Sequence, residues 1–420
     1  MVQQSPLTLV TPVLTDKQID LFAFLKQLKV DLEDKMHESF EDIGTIHYAR
    51  WLLIDYDTEH NAAALLAKPK LVFSSDFDYG VEQHLTDLCT KACDVIDRIY
   101  ENCEGYPAEG ARNPDSRRAY LNKWIVPCAA FYRGSPGRSL VQIRQESALR
   151  DFIRNHLNTT NYGHQTSKQV QAGLRSAVLA NPGLSWVNEK SSLPKINIIG
   201  TALLVMLLVL LSPIIIIWVL IVQFGYERHD AYFTEKRSQL NDYKISRLEQ
   251  YEDIELQNQF SQLVMMKPGK VRLITFKAMM LFSRTLIKLV YVKGKLLGIP
   301  SIHFARWVLF DNNKRVIFFS NFDGSWMQYL GDFIDQSGWG LTGIWSNTKL
   351  FPRTNFLLTK GAYDAEHFLA WSRYHQIPTQ VWYCAYPNLS IKNVMNNTHI
   401  RNEVMQDLSE QKAQRFLTRI

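Results

Sequence analysis

A histidine, an arginine and an aspartate recur at matching places in two parts of this chain. Residues 44–55 read GTIHYARWLLID and residues 300–311 read PSIHFARWVLFD. Each phrase is followed by a second matching one, SSDFD at 74–78 and FSNFD at 319–323. A histidine held by a carboxylate can transfer protons or ligate a metal or haem, and an arginine can hold an anion through two hydrogen bonds. The repeat therefore carries, twice, the residue types of a catalytic or anion-binding site.

Both arginines are predicted to lie on apolar strand faces, because alternate residues of a strand share a face. A buried guanidinium needs an anion or several carbonyl groups, since an unpaired buried charge is costly. Two interpretations stay open for Arg50 and Arg306. One is a structural ion pair or a rim arginine, and the other is a bound carboxylate or phosphate group. The neighbours that share these faces are Ile46, Tyr48, Leu52 and Ile54, and Ile302, Phe304, Val308 and Phe310.

The opposite strand faces carry the histidines. A tight turn at 311–315 would place His303 across from Asp323, so this pair is the candidate catalytic pair. A structural hydrogen bond is the alternative. Further convergent ligands are not apparent, so no metal site is predicted. The first copy offers the corresponding pair, His47 and Asp78, and Trp307 shares the strand face of His303. These three residues are candidate ligand-binding residues.

The second copy also has an aromatic-rich segment that differs from the first copy. WSNTKLFPRTNF (345–356) contains Arg353, and several tryptophans are near it in sequence. Apolar rings with a few polar groups are the usual composition of a ligand pocket, whereas an ordinary aromatic core is the alternative. Arg353 is therefore a further candidate ligand-binding residue, and the second copy is the favoured one.

The elements that must position these residues are predicted in the order βαββαβ, which is that of a ferredoxin-like unit. The fold class is α+β, with two tandem ferredoxin-like repeats that could pair as an α/β barrel around a membrane segment. The first strand of the second copy is the least clearly predicted, because the basic segment occupies its expected place. Strands are predicted at 7–14, 45–55, 70–77, 126–134, 301–310, 315–322 and 380–386, and helices at 16–36, 80–101, 140–157, 325–338 and 390–407.

Residues 197–224 form an uncharged apolar run that is long enough to cross a membrane. A single span and a re-entrant hairpin around Pro213 are both open, since a helix interior resists proline. The basic segment after it either lies in the membrane plane, which would put the C-terminal half in the cytoplasm, or faces the second core. The predicted domains are a first repeat (1–158), a linker (159–196), the membrane segment (197–224), a linker helix (225–266), a basic amphipathic helix (267–297) and a second repeat (298–420).

The element order resembles the dimeric α/β-barrel superfamily, fused in tandem. That superfamily includes haem-dependent peroxidases, chlorite dismutase-like proteins and small cofactor-free monooxygenases. The resemblance implies haem or no cofactor, but it assigns no residue, because only a loose FDG at 322–324 matches. The paired phrases are also similar to those of uncharacterised bacterial membrane proteins with paired IHFARW repeats.

Composition narrows the functional classes. The chain has 420 residues and a net charge of +6, without a basic run interleaved with aromatic residues, so nucleic acid is not an expected partner. P-loop and dinucleotide-binding glycine motifs are absent. We expect a protein of the bacterial inner membrane that binds an apolar or lipid-like anionic ligand in the barrel, with membrane lipid as a partner. The alternatives are a haem-dependent or cofactor-free oxidoreductase and a purely structural membrane organiser.

Overall fold

The protein has a mixed α/β structure, seen in a computed structural model. The structure describes residues 2–34, 39–55, 68–189, 194–250, 252–292 and 294–420. The end of the predicted helix at 16–36 therefore lies outside the described residues. The elements of the first half are β1 (Gln4–Pro12), α1 (Gln18–Glu33), α2 (Ser39–Ile43), β2 (Ile46–Ile54), β3 (Lys70–Asp78), α3 (Val81–Lys91), α4 (Cys93–Tyr100), α5 (Pro114–Lys123), β4 (Cys128–Arg133), α6 (Leu140–Thr159) and α7 (Ser167–Ala180).

The remainder of the chain begins with the apolar helix α8 (Ile198–Val222) and the short α9 (Asp242–Glu249). The second half then repeats the order of strands and principal helices found in the first. Its elements are β5 (Gln257–Met265), α10 (Lys270–Leu289), β6 (Ile302–Phe310), β7 (Arg315–Asp323), α11 (Trp326–Trp345), β8 (Thr354–Asn355), β9 (Thr359–Lys360), α12 (Ala365–His375), β10 (Val381–Cys384), α13 (Ile391–Val404) and α14 (Glu410–Leu417). The strands predicted at 45–55, 70–77, 301–310 and 315–322 are confirmed.

Each large sheet takes three strands from one half of the chain and the fourth from the other half. The orders are β1-β3-β2-β10 and β5-β7-β6-β4, with neighbouring strands antiparallel throughout. The two orders are equivalent element by element. Neither half therefore completes a four-stranded sheet with its own strands.

The fourth strand of each half changes partner along its length. Val126 donates to the carbonyl of Thr8 at 2.9 Å, so the chain first runs beside β1 and then pairs with β6 as β4. In the same way Ile377 donates to the carbonyl of Ser261 at 2.9 Å before β10 pairs with β2. The two sheets are thereby joined at both edges.

Side chains from both halves fill the space between the sheets. The strand faces that carry Arg50 and Arg306 point inward, and apolar residues beside them form one shared cluster. The opposite faces pack outward against helices in two separate cores. The buried members of the shared cluster are Val10, Leu52, Ile54, Val72, Val308, Phe310, Ile317 and Phe319.

The predicted linker helix over 225–266 is wrong in its last part, where β5 lies. Its sequence, QNQFSQLVM, lacks the apolar alternation of a half-buried strand. The physical reason is that its polar side chains point into the protein. Gln257 accepts a hydrogen bond from the Tyr48 hydroxyl, and Gln259 and Ser261 accept from Arg50.

The basic segment forms α10, which packs into the second core through Phe276 and Met280 and borders α8 on its other side. The apolar segment forms one continuous helix, so the re-entrant hairpin is wrong. Pro213 cannot donate to the carbonyl of Val209, and the Ser212 hydroxyl donates to that carbonyl at 2.7 Å instead. Among the described helices, Ile198–Glu227 has the length and hydropathy to cross a membrane.

Candidate functional site

Arg50 and Arg306 each cross the interior to bind the other half of the chain. Arg50 on β2 donates to the carbonyl of Phe260 on β5 and to that of Ser320 on β7, both at 3.0 Å. It also donates to the Ser261 hydroxyl at 3.0 Å and to the side-chain oxygen of Asn321. The guanidinium therefore links two adjacent strands of the opposite sheet.

Arg306 on β6 makes the equivalent contacts in reverse. It donates to the carbonyl of Leu7 on β1 at 2.6 Å and to that of Ser75 on β3 at 2.8 Å. It also donates to the Thr8 hydroxyl at 3.3 Å and forms an ion pair with Asp76. The two halves thus make equivalent contacts on both sides of a shared centre.

This centre holds two guanidinium groups and one carboxylate. Asp76 and Asn321 occupy the same place in the two copies, and the Asn321 amide donates to Asp76 at 3.1 Å. Burial lowers the pKa of Arg50 to about 9, although the charge of Asp76 acts in the opposite direction. Since protein groups already accept from both arginines, the geometry favours the structural interpretation over an anionic ligand here.

Both predicted histidine–aspartate pairs form, and each continues to a helix N-terminus. The Nε2 atom of His47 lies 3.0 Å from Asp78, whose other oxygen accepts from the backbone of Leu140 at 2.7 Å. The Nε2 atom of His303 lies 2.7 Å from Asp323, whose other oxygen accepts from the backbone of Ile391. Because α6 and α13 begin at these two backbone groups, each aspartate ties a strand to the following helix.

The two histidines differ at their second nitrogen. The Nδ1 atom of His47 lies 3.2 Å from the Tyr386 hydroxyl. Backbone contacts show that Ser135 holds the equivalent place, because Gly134 donates to the His303 carbonyl as Ala385 does to that of His47. The shorter serine leaves its own hydroxyl and the Nδ1 atom of His303 without a hydrogen-bond partner among the described residues.

Aromatic rings enclose both histidines. Tyr48 and Tyr386 lie 5.7 Å and 5.8 Å from the ring of His303, which is 1% exposed. Burial raises the pKa of both tyrosines well above the usual range, so their hydroxyls stay protonated. A haem needs an open slot beside its ligand, and the residues around His303 do not fit one. The catalytic role of His303 and Asp323 stays a prediction.

Trp307 lies outside this centre, in the second core. Its ring packs on Phe318 at 4.7 Å and borders a narrow apolar cavity of about 40 Å³ between α10 and α11. That volume holds only small groups, since one water needs roughly 10–15 Å³ on this measure. Trp51 is its counterpart and packs on Phe73.

Arg353 lies on a groove with a cavity of about 530 Å³, which the other predicted site residues do not line. Its guanidinium lies 5.6 Å from the ring centre of Tyr232. Within the described part of the chain, neither Arg353 nor Lys360 has a carboxylate at ion-pair distance. The groove is lined by Tyr232, Phe233, Thr234, Pro352, Arg353, Lys360, Tyr363, Asp364 and His367.

Sequence reasoning missed Asp76 and Asn321, the two residues that join the arginine centre. The available signal was their shared position in the SSDFD and FSNFD phrases, two residues before the aspartates that were identified. Strand parity put them on the face of those aspartates but gave no partner on the other half of the chain.

Comparisons with known proteins add no assignment. No protein-family model, curated protein or solved structure matches this chain. Within the described residues, three or more His, Cys, Asp or Glu side chains do not converge as a metal site.

Proposed function

We propose that this is a membrane-anchored protein that lies on one face of the bilayer and binds a lipid-like anionic ligand there. The observation that carries the proposal is that both ends of the apolar helix α8 are held by one body, which the two halves build together. We place this body on the cytoplasmic face of a bacterial inner membrane, where anionic lipid attracts basic residues.

The body itself is best explained as two tandem ferredoxin-like repeats that pair as an α/β barrel. In each half the first and second strands flank the third, which is the order of a split βαβ unit. The fourth strand starts beside the first strand and then crosses to the other repeat. Such an exchange supports the proposal that both repeats lie on the same side of the membrane.

The two ends of α8 support this placement. The backbone of Asn197 donates to the carbonyl of Leu289 at 3.0 Å, and the indole of Trp218 donates to Thr275 at 2.9 Å. Both partners belong to α10. A helix of 25 residues is about 37 Å long, so a perpendicular span would carry one end across the bilayer and away from α10.

A stripe along α8 shows the side that faces the body. Partly buried residues recur at helical spacing, at Thr201, Leu204, Leu208 and Ser212, while the large apolar residues between them are mostly exposed. These exposed side chains form the surface that lipid would cover. We infer that α8 lies along the membrane surface and not across it.

In an alternative placement, the whole body would be embedded in the bilayer together with α8. The exposed cations of α10 disfavour this placement. The exposed side of α10 carries Lys277, Arg284 and Lys288. Each such cation costs about 3 kcal/mol at the bilayer centre, whereas at the surface it meets anionic headgroups. Lys267 and Arg272 also pair with Glu227 just after α8, which holds that end at the body.

The experiment is single-cysteine labelling with a membrane-impermeant maleimide in right-side-out and inverted vesicles. His164→Cys marks an exposed loop of the first half and Lys412→Cys marks an exposed helix of the second half. We expect both sites to react from the same side. The unmodified chain, with its own five free cysteines, measures the background. Labelling from opposite sides would contradict the proposal.

A purely structural membrane organiser is the second candidate, because the interior between the sheets is filled by the shared cluster and the arginine centre. Such a protein would keep the same membrane placement but bind no anionic ligand. Ligand binding by the full chain separates these two candidates.

A further inference from the structure

The hairpin of β8 and β9 presents apolar residues at an exposed turn. Phe356, Leu357 and Leu358 connect the two strands, and Phe356 and Leu358 are exposed. Phe356 and Leu357 have φ values of 52° and 60°, a conformation that bulky residues rarely adopt. Tight hairpin turns with positive φ usually take asparagine or glycine. Large apolar residues in such a turn indicate a function at this position.

The tip of this hairpin adjoins the C-terminal end of α8. The backbone of Phe356 donates to Gln223 at 2.5 Å, and the rings of Phe356 and Phe224 lie 6.1 Å apart. The backbone and hydroxyl of Thr354 donate to Glu227 at 3.0 Å and 2.8 Å. The hairpin is therefore fastened to the last turns of the apolar helix, and its tip extends the surface that lipid would cover.

The groove that contains Arg353 lies at the base of the same hairpin. Lys360 ends β9 and Arg353 precedes β8, so both cations are one short strand away from the apolar tip. Lys360 has φ 56° and ψ −139°, which is a strained conformation for a residue other than glycine. In this backbone conformation Lys360 lines the groove together with Arg353.

The charges of the groove favour an anion. The carboxylate of Asp364 lies 2.9 Å from His367, and Glu366 nearby pairs with Lys236 at 3.5 Å. Glu366 is thus paired with a lysine and Asp364 is hydrogen-bonded to a histidine, while the two groove cations have no carboxylate partner in the part of the chain that the structure describes. Arginine matches phosphate geometry with two parallel donors, and lysine adds a point charge.

We propose that this groove binds the phosphate group of an anionic lipid headgroup while the Phe356–Leu358 tip enters the same leaflet. The inference rests on the proposed placement of the protein on one membrane face, and it names the ligand and its site. The headgroup would lie between Arg353 and Lys360, and the rings of Tyr232 and Tyr363 would border it. The acyl chains would extend along the tip and α8 into the leaflet.

The test uses the full chain in non-ionic detergent micelles, with affinity measured by thermophoresis. The probes are dihexanoyl phosphatidate, dihexanoyl phosphatidylcholine and inorganic phosphate. We expect phosphatidate to bind at least tenfold more tightly than either other probe. Equal binding of phosphatidate and inorganic phosphate would assign the groove to a free anion and overturn the lipid part of the proposal.

The variants Arg353→Gln and Lys360→Gln should each weaken phosphatidate binding about tenfold or more. Lys412→Gln, an exposed lysine on α14, is the matched control and should bind like the original chain. Unchanged thermal unfolding of all three variants shows that each is folded. Phosphatidate binding that survives both groove substitutions, or no binding of it by the original chain, overturns the assignment.

Failure of this inference is distinguishable from failure of the proposed placement. If both cysteine sites label from one side but the groove substitutions have no effect, the site alone is wrong. If the two sites label from opposite sides, the placement is wrong whatever the groove binds. Phe356→Ser with Leu358→Ser adds a third readout, since loss of the tip should weaken phosphatidate binding and leave inorganic phosphate unaffected.

Discussion

At the scale of single residues, Asp76 balances a centre that holds two buried arginines. It pairs with Arg306 directly and accepts a hydrogen bond from Asn321, which itself accepts from Arg50. Removal of one member of a buried ion pair leaves an uncompensated charge in a medium that solvates it poorly. The stability of both halves therefore depends on one carboxylate at their meeting point.

We predict that Asp76→Asn lowers the free energy of unfolding by about 3–5 kcal/mol. The double variant Asp76→Asn, Asn321→Asp should regain most of that loss, because the carboxylate then faces Arg50 at the equivalent place. Chemical denaturation in detergent micelles measures both. A double variant no more stable than the single one would show that the two sides of the centre are not interchangeable.

At one position the two halves carry residues of different chemistry: His84 in the first half and Tyr329 in the second. Its ring stacks on Phe77 at 3.7 Å, and in the second copy Tyr329 stacks on Phe322 at 3.9 Å. Neither nitrogen of His84 has a hydrogen-bond partner among the described residues. Burial, with a smaller effect from the charge of Arg306, lowers the pKa of His84 to about 3.

The low pKa of His84 predicts that the folded protein loses stability in acid. Above about pH 6.5 the histidine is neutral in both states, so its full contribution to stability is present. Between pH 6.5 and about 3 the unfolded chain binds a proton that the folded chain does not. The free energy of unfolding therefore falls by up to about 1.4 kcal/mol per pH unit.

His84→Tyr, which copies the second repeat, should reduce that slope, as pH-dependent denaturation would show. His164→Tyr replaces an exposed histidine and is the control. An unchanged slope in His84→Tyr would contradict the buried neutral state of this ring.

At the scale of elements, the crossing of the fourth strands depends on close backbone approach. Gly134 lies just after β4, and its backbone donates to the carbonyl of His303 at 2.7 Å. A β-carbon at this position would lie 2.1 Å from the carbonyl oxygen of Ile302. In the other copy Ala385 makes the same contact and already carries a β-carbon. The first crossing is therefore the tighter of the two.

Gly134→Ala should destabilise the protein by about 1–3 kcal/mol, because the backbone must shift to relieve the overlap. The reverse change at the matched site, Ala385→Gly, should cost no more than about 1 kcal/mol. Thermal unfolding of the two variants compares them. Equal effects would indicate that the two crossings are equally tight.

The sequence predicted most strands well, because β-branched and aromatic runs at 45–55 and 301–310 are long and distinct. It failed at β5, where inward polar residues replace the usual apolar alternation. It did not predict the partners of the fourth strands, since periodicity identifies a strand and its faces but not its neighbour. The pairing of His303 with Asp323 was predictable because a tight turn joins β6 to β7.

At the scale of the whole molecule, the exchanged strands make the two halves one body with a shared interior. Arg50 and Arg306, for which a structural role and a bound anion were both open, fasten each half to the other. The proposed functional surface lies outside this interior, where α8, the β8–β9 hairpin and the Arg353 groove adjoin. Equivalent elements of the two halves thus build the scaffold, and the groove belongs to the segment in which the halves differ.

The sequence by itself determined the repeated phrases, the positions of the central strands, the inward faces of the arginines and the apolar helix. These features depend on local composition and on periods of two or about four residues, which a single chain displays directly. Only the tertiary structure decided which half supplies each fourth strand, which groups accept from Arg50 and Arg306, and that both ends of α8 return to α10. Those choices depend on contacts between residues far apart in the chain, where the geometry of joining two sheets, and not local preference, selects the partner.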